Sequence, residues 1–390
     1  MAKLTGQEVK DVLGLSGIFG LRMLGLFLVL PVLSIHAREL GATPMLAGLS
    51  VGIYGLAQTL LQVPFGTLSD RFDRKSVVAV GLLLFVAGSV VCASARTPAV
   101  LVAGRFLQGA GAIASVIIAM VADRTRDEVR GRAMALIGMS VGVSFGFGIL
   151  LGPVLSVKFG VPAIFWGIAA SGLFAIVYLY AVLPPVEERP QSPATWAKSL
   201  ELLAHRDLLC LDALMFVLHL GMTAVFVVGP FLMLEHWTKP ELWKIYLPMI
   251  LAGGGLMFPA VAVAEIRNAM KGLIGAGIAV SAVGFLLLAL SAGSASLVAA
   301  GMIVYFVGFN FIEPALPSLV TRVAPVQLRG TAVGLFNMSQ FFGAFCGGAA
   351  GGWFLGHARN ALFWSLLGLC VPWLLALWGF TAPAPRKKSA

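Results

Sequence analysis

Long apolar stretches, separated only by short charged or Gly/Pro-rich breaks, leave this sequence few ways to fold. A helix needs roughly 20 apolar residues to cross a hydrocarbon core about 30 Å thick, and nothing in that core can satisfy an open backbone. The stretches fall near 12–36, 44–66, 76–95, 99–122, 133–157 and 162–183, then near 208–234, 244–264, 272–292, 296–320, 331–353 and 361–380. They predict an all-α integral membrane protein of twelve transmembrane helices in two six-helix bundles. With 59% hydrophobic and 11% charged residues, and a mean hydropathy of +0.95, the 390 residues leave little room for a soluble domain.

The expected domains are an N-terminal bundle over 1–183, a polar linker over 184–207 with an amphipathic piece around Trp196 to Leu203, and a C-terminal bundle with a short basic tail over 208–390. The formal charge of +10 must be divided by membrane side before it has meaning. With both termini cytoplasmic, 19 Lys/Arg fall in inside loops and tails and 6 in outside loops, which is the positive-inside orientation. The charge therefore reports topology and calls for no nucleic acid. The first apolar segment is too long for a signal peptide and lacks a convincing small-residue cleavage site, so it reads as the first span. Cys92, Cys210, Cys346 and Cys370 lie in apolar segments without CxxC spacing, which speaks against a metal site or redox pair.

Arg130-Gly131-Arg132-Ala133-Met134-Ala135-Leu136 aligns with Arg329-Gly330-Thr331-Ala332-Val333-Gly334-Leu335 at an offset of 199, each opening a glycine-rich span. Such a repeat fits two parallel halves with a substrate site between them.

Three stretches carry distinctive chemistry. Gly66-Thr67-Leu68-Ser69-Asp70-Arg71-Phe72-Asp73-Arg74-Lys75 follows the second span, where a carboxylate can meet a helix dipole or an arginine. Arg105, Gln108 and Gly109 lie in the fourth span, with Arg105 and Gln108 on one helix face. The fifth span carries Gly142 through Pro153, whose small residues, including Gly148 and Gly152, permit close packing and whose Pro153 can kink the helix.

The first stretch resembles the loop signature of the major facilitator superfamily, departing at Asp73, where the family usually has glycine. The fifth-span stretch resembles that superfamily's antiporter motif, departing at Leu155 and Ser156, where a pair of glycines is usual. With Leu21-Arg22-Met23-Leu24-Gly25, Ile53-Tyr54-Gly55-Leu56 and Asn310-Phe311-Ile312-Glu313, the chain resembles drug:proton antiporters of the YajR type. That type carries an additional soluble C-terminal domain, and the sequence from Ala382 to Ala390 leads us to expect none. The resemblance implies a conformational switch of Gly66, Asp70, Arg71, Arg74, Lys75, Asp123 and Gly330. In it Asp70 caps a helix of the opposite half near Gly330 and Arg74 pairs with Asp123, bracing the outward-facing state.

Ionisable side chains cost roughly 2.5–3.5 kcal/mol at mid-membrane on insertion scales, so those retained there usually line protein interior or water. Arg22, Arg105, His219 and Glu313 fall on spans one, four, seven and ten, the cavity-lining helices of the superfamily resembled. Glu313, about seven residues or roughly 10 Å from the inner end of its predicted helix and followed by Pro314, is the foremost candidate for proton coupling, against a permanently paired structural carboxylate. Arg22 reads either as its partner or as a group acting on it through water. His219 reads either as a relay or as a hydrogen-bonded core residue. Tyr54, Gln58 and Gln62 form an i, i+4 stripe that, with Asn310, either touches substrate or bridges helices. Asp212 and Glu265 are expected at the interface, outside the proton pathway.

These readings converge on a proton-coupled exporter of small amphipathic compounds, working by alternating access in a bacterial inner membrane as a monomer. It uses the proton gradient and no cofactor; its partners are substrate, protons and lipid. A proton-linked importer or facilitator of a metabolite and a transporter-derived sensor remain as alternatives. No HExxH or Walker sequence supports an enzyme.

Overall fold

A computed structural model of the protein describes residues 4–183, 202, 204–325 and 328–381. Most of the expected linker, including nearly all of its amphipathic piece, and the basic tail lie outside these residues. The chain forms two compact units, Met1–Pro193 and Ala194–Ala390. No strand forms among the described residues.

The first unit begins with α1, Gly6–Val29, started by a capping box in which Thr5 and Glu8 satisfy each other's backbone N–H groups. This cap starts the helix six residues before the apolar stretch. Pro31 follows its end, and the short α2, Leu33–Glu39, completes the excursion. Then come α3, Pro44–Arg71, α4, Arg74–Ala93, and α5, Pro98–Ala110; α3 and α5 each start with a threonine cap and a proline in the first turn. The fourth span is broken. It resumes as α6, Ala114–Asp123, after Gly111 leaves helical geometry at φ −75° and ψ 65°. α7, Asp127–Phe159, and α8, Val161–Ala181, turn on Gly160, whose φ of +81° suits a residue without Cβ. α1 packs on α7 and α8, while α4 packs on α5 and α8.

The second unit contains α9, Arg206–Met233, α10, Trp243–Ile266, α11, Met270–Ala289, and α12, Ala295–Ile312. The tenth span is broken as well: Glu313 and Pro314 separate α12 from α13, Ala315–Val323. α14, Arg329–His357, and α15, Arg359–Gly379, close the unit. α9 packs on α14 and α15, α12 on α10 and α11.

Among the described residues, eleven helical segments are long and apolar enough to cross a membrane. α14, at the expected eleventh span, has the length at 29 residues, but its glycines and polar side chains dilute its hydropathy. Apolar side chains also coat the outside, with Trp378 and Ile266 each 80% exposed and Phe258 70% exposed. An apolar surface of this extent requires lipid.

Gly148 and Gly152 set the approach of α7 to α1. A Cβ on Gly148 would stand 2.5 Å from the Phe27 Cβ, and one on Gly152 2.1 Å from the Leu28 carbonyl oxygen. Gly343 and Gly347 do the same for α14 on α9, where added Cβ atoms would meet the Phe216 and Leu220 carbonyl oxygens at 2.3 and 2.2 Å. Gly152→Val therefore lowers the thermal midpoint of the purified protein through overpacking of about 1–3 kcal/mol. Gly142→Val, with nothing within 4 Å of the added Cβ, leaves it unchanged; equal midpoints for the two variants would refute this account of the contact.

Candidate functional site

In the first unit the polar residues singled out by sequence converge on the break between α5 and α6. A helix ending inside an apolar bundle leaves carbonyl oxygens without partners, each expensive to bury. Arg22 Nη2 on α1 donates to the Gly111 carbonyl at 2.8 Å, and Gln58 Nε2 on α3 donates to the Gly109 carbonyl at 2.5 Å. Two guanidinium groups lie near the Tyr54 ring, Arg105 4.9 Å and Arg22 5.8 Å from its centroid. Arg105 Nε donates to the Ser50 carbonyl at 3.3 Å, and its Nη1 donates to Gln108 Oε1. Gln108 Nε2 continues to Ser89 Oγ at 2.8 Å, tying α5 to α4. Arg22, Arg105, Gln58 and Gln108 are all buried. No carboxylate pairs with either arginine among the described residues. Gln58 thus bridges helices, whereas Gln62, equally buried, has no hydrogen-bond partner for its amide among the described residues.

Where α4 begins, Arg74 Nη1 lies 2.7 Å from Asp123 Oδ2, bringing together the pair implied by the loop signature. Asp70 and Arg71 are exposed at the end of α3, and Gly66 lies against Ser115 of α6. Lys75 Nζ donates to the Leu183 carbonyl. Asp73, the departure from the family pattern, caps α4: its Oδ2 accepts from the Ser76 backbone N–H and hydroxyl, both at 2.8 Å. Partial burial works against its charge, but these bonds prevail and hold the carboxyl below its ordinary pKa. Two ties were invisible in the sequence. Arg126 clamps Glu8 through Nε and Nη2, each 3.0 Å from a carboxylate oxygen, and Arg124 lies 3.3 Å from Asp11. Only folding brings the start of α1 to the 124–126 turn.

The second unit has its own polar group at a helix break. Pro314 lacks the N–H that would meet the Asn310 carbonyl, so the span bends where Glu313 sits. Glu313 Oε2 lies 3.8 Å from His219 Nε2 on α9. The Glu313 side chain is one-third exposed, while Oε2 itself is enclosed and accepts no hydrogen bond among the described residues. The same His219 nitrogen is 2.8 Å from Gln340 Nε2 on α14, and the Phe309 ring stands edgewise to the imidazole at 5.9 Å. Asn310 turns its amide back onto the Phe306 carbonyl at 2.7 Å. Sequence reading missed Gln340; its signal was an amide, three residues after Asn337, within an apolar, glycine-rich stretch. Asp212 lies seven residues before His219 on α9, and Glu265 lies 3.6 Å from Arg322. Gly330 occupies the first turn of α14.

The family model for the Major Facilitator Superfamily matches residues 15–345. This chain belongs to that superfamily. It is 36% identical to the inner membrane transport protein YajR of Escherichia coli K12 over 91% of this chain and 79% of that protein. It is 24% identical to the multidrug resistance protein MdtH of Photorhabdus laumondii over 89% of this chain and 88% of that one. Its fold is similar to the crystal structure of a D-xylose-proton symporter, with a TM-score of 0.78 at 15% identity over 97% of this chain and 98% of the other. The protein is an integral inner membrane transporter, and its relatives are transporters rather than enzymes.

Two outcomes test the polar groups of the first unit. Gln108→Leu strips a buried guanidinium of one of its two acceptors and lowers stability by about 1–3 kcal/mol, read as a lower thermal midpoint. Asp73→Ala costs about 1 kcal/mol at neutral pH. Because the folded carboxyl lies below its unfolded value of about 3.9, that contribution is complete above the unfolded pKa and fades as pH falls through the folded one. A gap between wild type and Asp73→Ala that stays constant from pH 7 to acid would exclude a charged cap.

Proposed function

We propose that this transporter exports small amphipathic compounds in exchange for protons by alternating access, with Glu313 carrying the proton. The observation that carries the reading is an ionisable pair, Glu313 and His219 at 3.8 Å, placed at a proline-broken point of an apolar span. Such groups are retained inside membranes chiefly where they move charge or bind ligand. Adding a proton to the Glu313 carboxylate removes its charge and changes what His219 and the bent span experience. Any difference in proton affinity between inward- and outward-facing states then biases their balance, and substrate binding biases it in the opposite sense. The multidrug resistance name of one relative favours outward movement of amphipathic compounds.

Arg22 serves this scheme from the other unit by fixing the break in the fourth span and supplying positive charge. The Arg74–Asp123 pair holds the loop signature in place. The protein works as a monomer on the proton gradient, without a cofactor.

Purified protein in proteoliposomes tests the proposal, with a panel of lipophilic cations and antibiotics added and proton release recorded. Wild type releases protons on substrate addition, and Glu313→Gln loses at least tenfold of that release, equivalent to about 1.4 kcal/mol of coupling. Substrate movement without protons in wild type, or normal coupling in Glu313→Gln, overturns the assignment.

A further inference from the structure

His219 offers one ring nitrogen to two neighbours. Gln340 Nε2 approaches His219 Nε2 to 2.8 Å from α14, and Glu313 Oε2 stands 3.8 Å from the same atom on the far side of the broken span. An amide nitrogen can only donate, so in this arrangement Nε2 accepts and the ring proton resides on Nδ1. The lone pair of Nε2 is then directed at Gln340, and the ring has no proton at Nε2 to give to the carboxylate.

We propose that Gln340 is a positioning residue that holds His219 in the Nδ1–H tautomer, and that a proton arriving between Glu313 and His219 must displace it. The inference deepens the proton-coupling reading and rests on it for its transport consequence. Two proton positions lead to the same result. A Glu313 carboxylic acid can donate to Nε2 only by taking the acceptor site that Gln340 occupies. If the acid passes its proton on, the Oε2–H bond breaks, the Nε2 lone pair forms the new N–H bond, and a carboxylate faces an imidazolium. Neither proton nor electron pair is left over. In both cases the Gln340 amide N–H loses its acceptor, so protonation between α9 and α12 is felt at once on α14. That helix begins at Arg329-Gly330, the repeat counterpart of Arg130-Gly131.

Few other titratable groups face this pair. α12 adds Tyr305, close to both Glu313 and Cys370, and Cys370 comes from α15. α10 contributes Tyr246 to the bundle interior, and α13 contributes Arg322, already beside Glu265. On α9 itself Asp212 lies two turns inward, roughly 10 Å along the axis. On α14 Cys346 lies six residues past Gln340 and Arg329 and His357 stand at its two ends, and α11 brings only Lys271, near its start. Gln340 is therefore the polar side chain that competes with Glu313 for Nε2.

Nitrogen NMR of full-length, 15N-histidine-labelled protein in nanodiscs at alkaline pH tests this directly. The His219 signals are identified among the five histidines by their absence in His219→Gln. The expected wild-type signature is the Nδ1–H tautomer, converting largely to Nε2–H in Gln340→Leu. In proteoliposomes the same variant moves the pH of half-maximal transport upward by about 0.5–1 unit, the net worth of one hydrogen bond. Gln340→Met serves if Gln340→Leu does not fold. An Nε2–H tautomer in wild type, or spectra unchanged by removing the amide, overturns the role of Gln340 while leaving coupling through Glu313 intact. A tautomer change without any proton-linked transport would instead support Gln340 and overturn the exporter reading.

Discussion

A helix that stops inside hydrocarbon must give its last carbonyl oxygens to a donor, because no water is available to take them. The break after Ala110 imposes that demand in the first unit, and Arg22 and Gln58 meet it at Gly111 and Gly109. Much of the polar interior of the unit follows from this contact. Arg22 brings a charge that lies near the rings of Tyr54 and Phe85, and Arg105 approaches Tyr54 from another direction. Gln108 and Ser89 then extend the network to α4. What sequence presents as scattered intramembrane polarity is, in the folded unit, a response to one interrupted helix.

The two units handle corresponding breaks with different chemistry. In the first, the donor is a guanidinium and the acceptor is a backbone carbonyl. In the second, the first helix of the unit again reaches the break in the fourth, but with an imidazole, and a carboxylate stands at the break itself. The repeat offset of 199 places Glu313 opposite Ala114, the first residue after the break in the fourth span. A shared architecture thus holds a guanidinium–carbonyl joint in one copy and an imidazole–carboxylate one in the other.

Legibility followed the range of the interactions. The spans were readable because twenty apolar residues have few other uses, and the Arg105–Gln108 contact because i, i+3 residues share a helix face. The glycines of the fifth span announced close packing, and the structure supplies the partner helix. The breaks were less visible. Pro314 marks one, but Gly111 lies in a run of small residues like many that remain helical. The 3.8 Å approach of His219 to Glu313 and the bond to Gln340 join residues about 90 to 120 positions apart, and no local pattern specifies which helices meet. Asp73 reads as a departure from a motif, yet locally it is an Asp-x-x-Ser helix cap.

The ties that join the starts of α1 and α4 to the 123–126 segment differ among themselves in one further respect. Asp11–Arg124 is buried, with side chains 9% and 4% accessible, and Arg74–Asp123 is mostly enclosed, whereas Glu8–Arg126 keeps a half-exposed member, Arg126 at 51%. Mobile ions reach such a pair within a Debye length of about 8 Å at physiological strength, whereas the guanidinium network around Tyr54 sits behind protein and lipid. Ionic strength therefore acts on the Glu8–Arg126 tie at the start of α1 more than on the buried Asp11–Arg124 pair or the middle of the same bundle. That salt-softened tie lets the composition of the surrounding solution act on one end of a helix alone.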